Sequence, residues 1–315
     1  LHFTVSPQHE EGFTRLLEEV RPRYEERTGC RFEVTFSSQG RGTDTLAVDP
    51  ENRPFRQDDG TLLFRPGGHG SLIANLQALG AAGWDVVLLK NIDNVVPDSR
   101  KAVGLLWKKI LAGALVRVQE RIFAYLERLE AGPAALELLD EVDKFLADDL
   151  LRAVPPDTAV AGSEARRRAL ISLLDRPLRV CGVVRNQGEP GGGPFWVESS
   201  TGDISLQIVE TSQIDPEAAD QQAALRASSH FNPTDLACAL RDHHGRPYDL
   251  ERFVDPATVF ISTKSHEGRP LKALERPGLW NGAMAGWNTV FLEIPDETFA
   301  PVKTVLDLLR PEHQG

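Results

Sequence analysis

The chain has 315 residues, 41% of them hydrophobic, and a formal net charge of −11. That is enough for one large α/β domain with a smaller appendage, and the acidic balance excludes broad, non-specific binding to nucleic acid, because phosphate backbones select basic surfaces. Cys30, Cys181 and Cys238 are too few and too scattered for a disulfide framework or a thiolate zinc site; with no run of about 18 apolar residues and no signal-peptide pattern, the chain reads as soluble and cytoplasmic, with no membrane partner.

The chain opens directly on Leu1-His2-Phe3-Thr4-Val5, an alternating strand pattern with no initiator methionine, so an upstream portion is expected to be missing. A helix is predicted over 10–28, with Phe13, Leu16, Leu17 and Val20 at helical spacing, and a strand over 32–36. A polar turn at 57–60 precedes a short strand at 61–64. A helix over 71–80 then leads to a continuous apolar strand at 84–89, of the kind buried on both faces in a parallel sheet. Strand, helix, strand, loop, helix, strand implies a doubly wound layer.

From 98 to 151 the pattern is helical, with a stripe of Val103, Leu106, Ile110, Val118, Ile122, Phe123 and Leu126, and Gly132-Pro133 splits it into an inserted hairpin. Its charged outer face reads as solvated surface. Pro155-Pro156 marks the next boundary. Strands at 178–184 and 196–197 are joined by the glycine- and proline-rich stretch 186–194, either a connector or a lid. Further strands are expected at 205–209, 259–262 and 290–294, and a closing helix at 302–309.

Two features carry chemistry. Arg65-Pro66-Gly67-Gly68-His69-Gly70 is a glycine-rich turn that opens a helix and could wrap a nucleotide or sugar phosphate. About twenty residues later, Asn91-Ile92-Asp93-Asn94 ends an apolar strand, where open α/β sheets bind ligands and a carboxylate can hold a divalent metal. Each has a plain structural alternative: Gly67, Gly68 and Gly70 as a turn, Asp93 as a cap of the next helix, Asn91 and Asn94 as turn residues.

Several segments, in order, resemble the UDP-sugar pyrophosphorylases. Phe36-Ser37-Ser38-Gln39-Gly40 is similar to their strand and Gln-Gly turn, Pro66-Gly67-Gly68-His69-Gly70 to their Pro-Pro-Gly-His-Gly loop, and Asn91-Ile92-Asp93-Asn94 to their Asn-Ala-Asp-Asn strand end. Gln207-Ile208-Val209-Glu210-Thr211-Ser212-Gln213-Ile214 resembles their Val-Val-Glu-Tyr-Ser-Glu-Ile segment. Ser229-His230-Phe231-Asn232-Pro233 and Thr298-Phe299-Ala300-Pro301-Val302-Lys303 are similar to the following Asn-His-Phe strand and Glu-Phe-Ser-Pro-Leu-Lys element. The wording as a whole is closest to a bacterial group, the domain-of-unknown-function 4301 family.

The resemblance covers nearly the whole chain except the helical hairpin, and it implies an α/β fold with a GT-A-like (Rossmann-like) nucleotidyltransferase sheet flanked by helices. With the inserted hairpin and an additional β-rich segment, three regions are expected: 1–97 as a partial nucleotide-sugar-binding core, 98–155 as the hairpin, and 156–315 as the rest of the core with the sugar-binding strands and the C-terminal helix. The implied reaction is in-line transfer of a nucleotidyl group from a nucleoside triphosphate, UTP in this family, to a sugar 1-phosphate, with Mg2+ as cofactor. Asp93 would hold the metal and act with Lys303 in catalysis. Gln39 would meet the base, and Gly67, Gly68, His69, Gly70, Asn91, Asn94, Glu210 and Asn232 would bind substrate. Lys264 and Lys272 are fallback phosphate ligands.

One departure stands out. The family's Gly-Gly-x-Gly-Thr-Arg triphosphate loop is not in this chain; Gly40-Arg41-Gly42-Thr43-Asp44 is similar only superficially and follows the wrong strand. A missing amino-terminal portion or a partner subunit would then complete the sheet and cover its apolar edge. Two other functions remain open: a non-catalytic nucleotide-sugar or sugar-phosphate binding or regulatory protein, and a GT-A glycosyltransferase. Against the latter, the strand end reads Asp-Asn and not Asp-x-Asp.

Overall fold

The computed structural model describes residues 1–152, 162–186, 188, 191–199, 202 and 204–314. The Pro155-Pro156 boundary and Gln187, Glu189 and Pro190 of the glycine-rich stretch lie outside the described residues. In chain order the elements are β1 (His2–Thr4), α1 (Pro7–Thr28), β2 (Thr35–Ser37), β3 (Thr45–Leu46), β4 (Phe64–Arg65), α2 (Ile73–Ala81), β5 (Val86–Lys90) and α3 (Lys101–Glu130). There follow α4 (Leu136–Asp148), α5 (Ser163–Leu174), β6 (Leu178–Arg185), β7 (Gly192–Glu198), β8 (Ile204–Glu210), α6 (Ala219–Arg226) and β9 (His230–Phe231). β10 (Asp235–Ala239), β11 (Phe260–His266), β12 (Arg269–Glu275) and β13 (Asn288–Glu293) complete a mixed α/β chain. It divides into two compact units, Leu1–Leu79 with Pro256–Ala283, and Gly80–Asp255 with Met284–Gly315.

In the first unit β1 and β2 pair in parallel through α1. The helix starts earlier than its apolar spacing suggests, at Pro7, because a proline at the first helical position gives up only a backbone donor that would lack a partner anyway. It stops at Gly29, whose φ of 66° closes the C-terminus. Its predicted stripe forms but is left uncovered: no α1 residue is buried, and Leu16 is 52% exposed. The small core lies elsewhere, where Ala47, Phe55, Leu63, Leu271 and Ala273 pack together. The strand expected at 61–64 shrinks to Phe64–Arg65, because Gln57 N donates to Thr61 O and draws 57–61 into a tight turn.

The β11–β12 hairpin runs in register from Phe260↔Glu275 to His266↔Arg269. β12 went unforeseen in the sequence because Arg269, Lys272 and Glu275 interrupt it, while only Leu271 and Ala273 are buried. Lys272 is a bound element of this unit: its Nζ donates to Pro50 O at 2.8 Å and Asn52 Oδ1 at 3.0 Å. Lys264 pairs with Glu275 at 2.7 Å.

The second unit is built on a sheet in the order β13-β6-β10-β5. β13 and β6 are parallel, whereas β10 is antiparallel to both β6 and β5, so the layer here is mixed and not purely doubly wound. β5 was expected as a strand buried on both faces. It instead sits at the end of the sheet order, with Leu88 45% exposed. The strand that fills the centre is Asp235-Leu236-Ala237-Cys238-Ala239, buried at every position. Its small side chains give little strand signal, yet Ala237 and Ala239 lie within the core cluster beneath the helices.

The helices supply the apolar cover. Leu111, Leu115, Ile122, Leu126 and Leu129 of α3 are buried with Leu139, Val142, Phe145 and Leu146 of α4, Leu170 and Leu174 of α5, and Val180 and Ala237 of the sheet. At about 100° per residue this α3 set falls within a narrow stripe, whereas the set chosen from the sequence winds around the helix; Leu106 is accordingly 56% exposed. Each fully buried leucine contributes on the order of 1.5–3 kcal/mol. No side chain caps the N-terminus of α3, so Asp93 does not serve as that cap.

Two further expectations change. The glycine-rich stretch is partly strand, since Gly192, Gly193 and Pro194 pair with Glu210, Val209 and Ile208. A Cβ on Gly193 would stand 2.5 Å from His230 O, so glycine is what lets β9 approach. The closing helix is a 3-10 turn, Val305–Leu309, preceded by a Thr304–Asp307 capping box.

Candidate functional site

In the second unit the end of β5 is stitched to a segment two hundred residues away. Asp93 O accepts Val302 N at 2.7 Å, and Ala300 O accepts Val95 N at 3.2 Å. The Asn94 side chain, 2% exposed, completes the seam: Oδ1 accepts Ala300 N at 2.9 Å and Nδ2 donates to Thr298 O at 3.2 Å. Asn94 therefore has a structural task, with both ends of its amide occupied. The Asp93 carboxylate is half-buried and, among the described residues, has no hydrogen bond or ion pair.

Lys303 follows this seam directly and is exposed. It precedes the 3-10 turn, and not within its first turn as expected, and its backbone N donates to Asp307 Oδ2 at 2.9 Å. Backbone donors from Thr304 and Lys303 hold the Asp307 carboxyl below the usual range. This carboxylate already answers the positive end of the turn, so no bound phosphate is required there.

Asn91 reaches the same end of the sheet by donating from Nδ2 to Thr234 Oγ1 at 3.2 Å. Thr234 has a φ of 57°, a conformation that costs a β-branched residue on the order of 1–3 kcal/mol. It is held by Asn232, whose Oδ1 accepts Thr234 N at 3.1 Å and whose Nδ2 donates to Gly182 O at 2.8 Å. Asn232, 4% exposed, is thus spent on backbone groups. Glu210 ends β8 half-buried and takes part in a capping box with Gln213, which binds Glu210 N through Oε1 at 2.9 Å.

Three charged residues missed in the sequence lie at this strand end. Lys90 is in register with Asp235, and Lys108 of α3 forms an ion pair with the same, nearly buried carboxylate. Partial burial pushes the Lys90 ammonium below the usual lysine range, Lys108 adds to this, and Asp235 opposes it. Two cations to one carboxylate leave an excess positive charge beside Asn91. The charge ending an apolar run was visible in Leu88-Leu89-Lys90; its partners, on α3 and β10, were not.

In the first unit the Gly-Gly-His-Gly turn lies against 275–278. A Cβ on Gly70 would fall 1.9 Å from Pro277 O, one on Gly67 2.8 Å from Thr43 O, and one on Gly68, at φ 77°, 2.9 Å from Glu275 Oε2. All three glycines answer to protein neighbours. His69 stacks on Trp280 with centroids 4.2 Å apart, and its Nδ1 accepts Leu279 N at 3.1 Å, which leaves the proton of a neutral ring on Nε2. Gln39 is half-buried and donates to Thr43 Oγ1 at 3.1 Å. Burial raises the Glu275 carboxyl, but Lys264 and Ser262 outweigh it and leave it below the usual range.

The candidate residues thus fall in two sets: Gln39, Gly67, Gly68, His69 and Gly70 in one unit, Asn91, Asp93, Asn94, Glu210, Asn232 and Lys303 in the other. No helix among the described residues is long and apolar enough to cross a membrane. The fold is mixed α/β, and it is similar to that of the UDP-glucose pyrophosphorylase from Leishmania major, at 15% identity and a TM-score of 0.49, covering 97% of this chain and 53% of that one. It is also similar to the UDP-glucose phosphorylase from Trypanosoma brucei, at 15% identity and a TM-score of 0.46, covering 98% and 52%. The chain spans about half the length of these structures. No curated protein matches it. The chain belongs to the family described as domain of unknown function DUF4301, whose model matches residues 1–314.

Proposed function

We propose that this chain carries part of a sugar-1-phosphate nucleotidyltransferase site of the UDP-sugar pyrophosphorylase type, on a GT-A-like sheet, with Mg2+ as cofactor and UTP and a sugar 1-phosphate as substrates. The observation that carries this reading is the seam between Asn91–Asn94 and 298–302. Two motifs singled out separately for one chemistry, and far apart in sequence, are joined by backbone hydrogen bonds, so that the Asp93 carboxylate and Lys303 belong to adjacent segments.

Nucleotidyl transfer requires positioning and neutralisation of phosphate charge more than acid–base chemistry. A single unpaired, half-buried carboxylate suits Mg2+, which takes one or two protein carboxylates and completes its shell with phosphates and water. When bound, the ion would neutralise non-bridging oxygens. Lys303 would supply a mobile cation, and Lys90, crowded by Lys108, would gain most from an incoming phosphate. Cys181 and Cys238 are buried free thiols, the former pushed up to about 11 by burial, which suits a reducing cytoplasm.

The test is turnover by the full-length protein across a panel of nucleoside triphosphates and sugar 1-phosphates, with thermal-shift measurement of UDP-sugar plus Mg2+ on the same preparation. Asp93→Ala is expected to abolish turnover at unchanged melting temperature. Wild-type activity in that variant sinks the metal assignment, and no turnover on any pair sinks the reaction.

A second reading, a non-catalytic nucleotide-sugar or sugar-phosphate binding protein, is favoured by the glycine-rich turn, whose glycines are all explained by protein contacts. The two are separated by the genomic sequence upstream of the Leu1 codon, where a start codon close by supports the binder. A Gly-Gly-x-Gly-Thr-Arg loop there supports the enzyme.

A further inference from the structure

Away from the candidate site, three potential metal ligands converge in the second unit. Glu130 is the last residue of α3, and His243 and His244 sit side by side in the turn after β10. His243 Nε2 lies 2.9 Å and His244 Nε2 3.4 Å from Glu130 Oε2, and one ligand atom from each residue falls within 4.8 Å of the others. We propose that Glu130, His243 and His244 form a binding site for a zinc-class divalent cation that clips this turn to the end of α3.

The geometry fits such an ion. Tetrahedral bonds of about 2.0–2.1 Å set ligand atoms roughly 3.3 Å apart, close to both measured separations. Two imidazoles and one carboxylate with a fourth position for water are ligands that borderline metals accept, whereas Mg2+ and Ca2+ call for oxygen.

The turn is held ready. Asp242 Oδ1 accepts the backbone N of His244 at 3.0 Å and of Arg246 at 2.8 Å, and Gly245 closes the turn at φ 75°. The two rings are fixed 3.9 Å apart, with Phe123 of α3 against His243 at 6.1 Å.

The other end is equally suited. Glu130 places a negative charge at a helix C-terminus, where the dipole disfavours it. Arg167 is near enough to feel Glu130, but it is paired with Glu164 at 2.8 Å and donates to Leu129 O. A divalent ion would answer both the carboxylate and the helix end.

The test uses the full, tag-free chain, stripped with chelator and titrated with Zn2+ against a chromophoric competitor. The expected result is one saturable equivalent, a Zn2+-dependent rise in melting temperature, and no competition from excess Mg2+. His244→Ala and Glu130→Gln should each weaken binding at least about tenfold, the size of effect that even an outer partner's loss produces. Both positions keep solvent contact, so these variants should melt with wild-type cooperativity in chelator. Absence of saturable binding, equal binding by the double variant, or displacement by Mg2+ overturns the site.

Discussion

The two units solve the problem of burial differently. In the second, three helices close a continuous leucine-rich core over β6 and β10, with Leu111, Leu115, Leu126, Leu129, Leu139 and Leu146 fully buried. In the first, Phe55, Leu63 and Leu271 centre a small cluster, and a helix of 22 residues buries none of its own. The difference shows where precision comes from. The second unit locates its polar groups by packing around them, whereas the first fixes its glycine-rich turn by backbone proximity that admits no side chain.

The largest expected effect tests the denser core. Leu126→Ala should cost about 2–5 kcal/mol, read by urea unfolding, with loss of amide protection in α3, α4 and β6. A cost under about 1 kcal/mol would mean that this core can collapse around the gap.

Gly70→Ala tests the other unit and should cost about 1–3 kcal/mol, as overpacking does, because its Cβ would fall 1.9 Å from Pro277 O. Hydrogen exchange should rise around Gly67–Ser71 and 275–278. Unchanged exchange there would show that the turn yields easily.

Asn94→Ala removes both partners of Ala300 N and Thr298 O and should cost about 1–3 kcal/mol. Nucleotide-sugar binding should weaken with it if the seam matters to function. Asn94→Asp keeps one acceptor and should be intermediate in thermal melts.

The smallest effect is a pH dependence at the turn after β10. Burial pushes the Asp242 carboxyl up, but hydrogen bonds from Arg246 and His244 outweigh it and hold the carboxyl below the usual range. Its stabilising contribution is therefore complete above the ordinary carboxylate range and is lost as pH falls through the depressed value. Asp242→Asn should flatten that part of the stability–pH curve; an unaltered acid limb would remove Asp242 from the account.

Local elements were readable because periodicity and punctuation are local. The helix ending at Gly29, the break at Gly132-Pro133, and strands β6 and β13 follow from apolar spacing and glycine or proline stops. β10 escaped because Ala237, Cys238 and Ala239 are small for packing reasons that lie in the neighbouring strands, not in their own propensity. β12 escaped because charges mask its two buried residues. Among the candidate site residues, Asp93 and Lys303 were proposed from their motifs. That their segments are hydrogen-bonded neighbours, and that Asn94 and Asn232 hold backbone, could not be read from them.

The sequence by itself determined the α/β character, most element positions and the family resemblance, since these rest on residue type and short-range order. Only the tertiary structure decided which apolar face of α3 is buried, that β5 ends its sheet, and that Lys90, Lys108 and Asp235 share one place. It alone brought Glu130 to the two histidines more than a hundred residues away. Pairing and burial depend on groups distant in the chain, and no local pattern encodes what those distant groups will be.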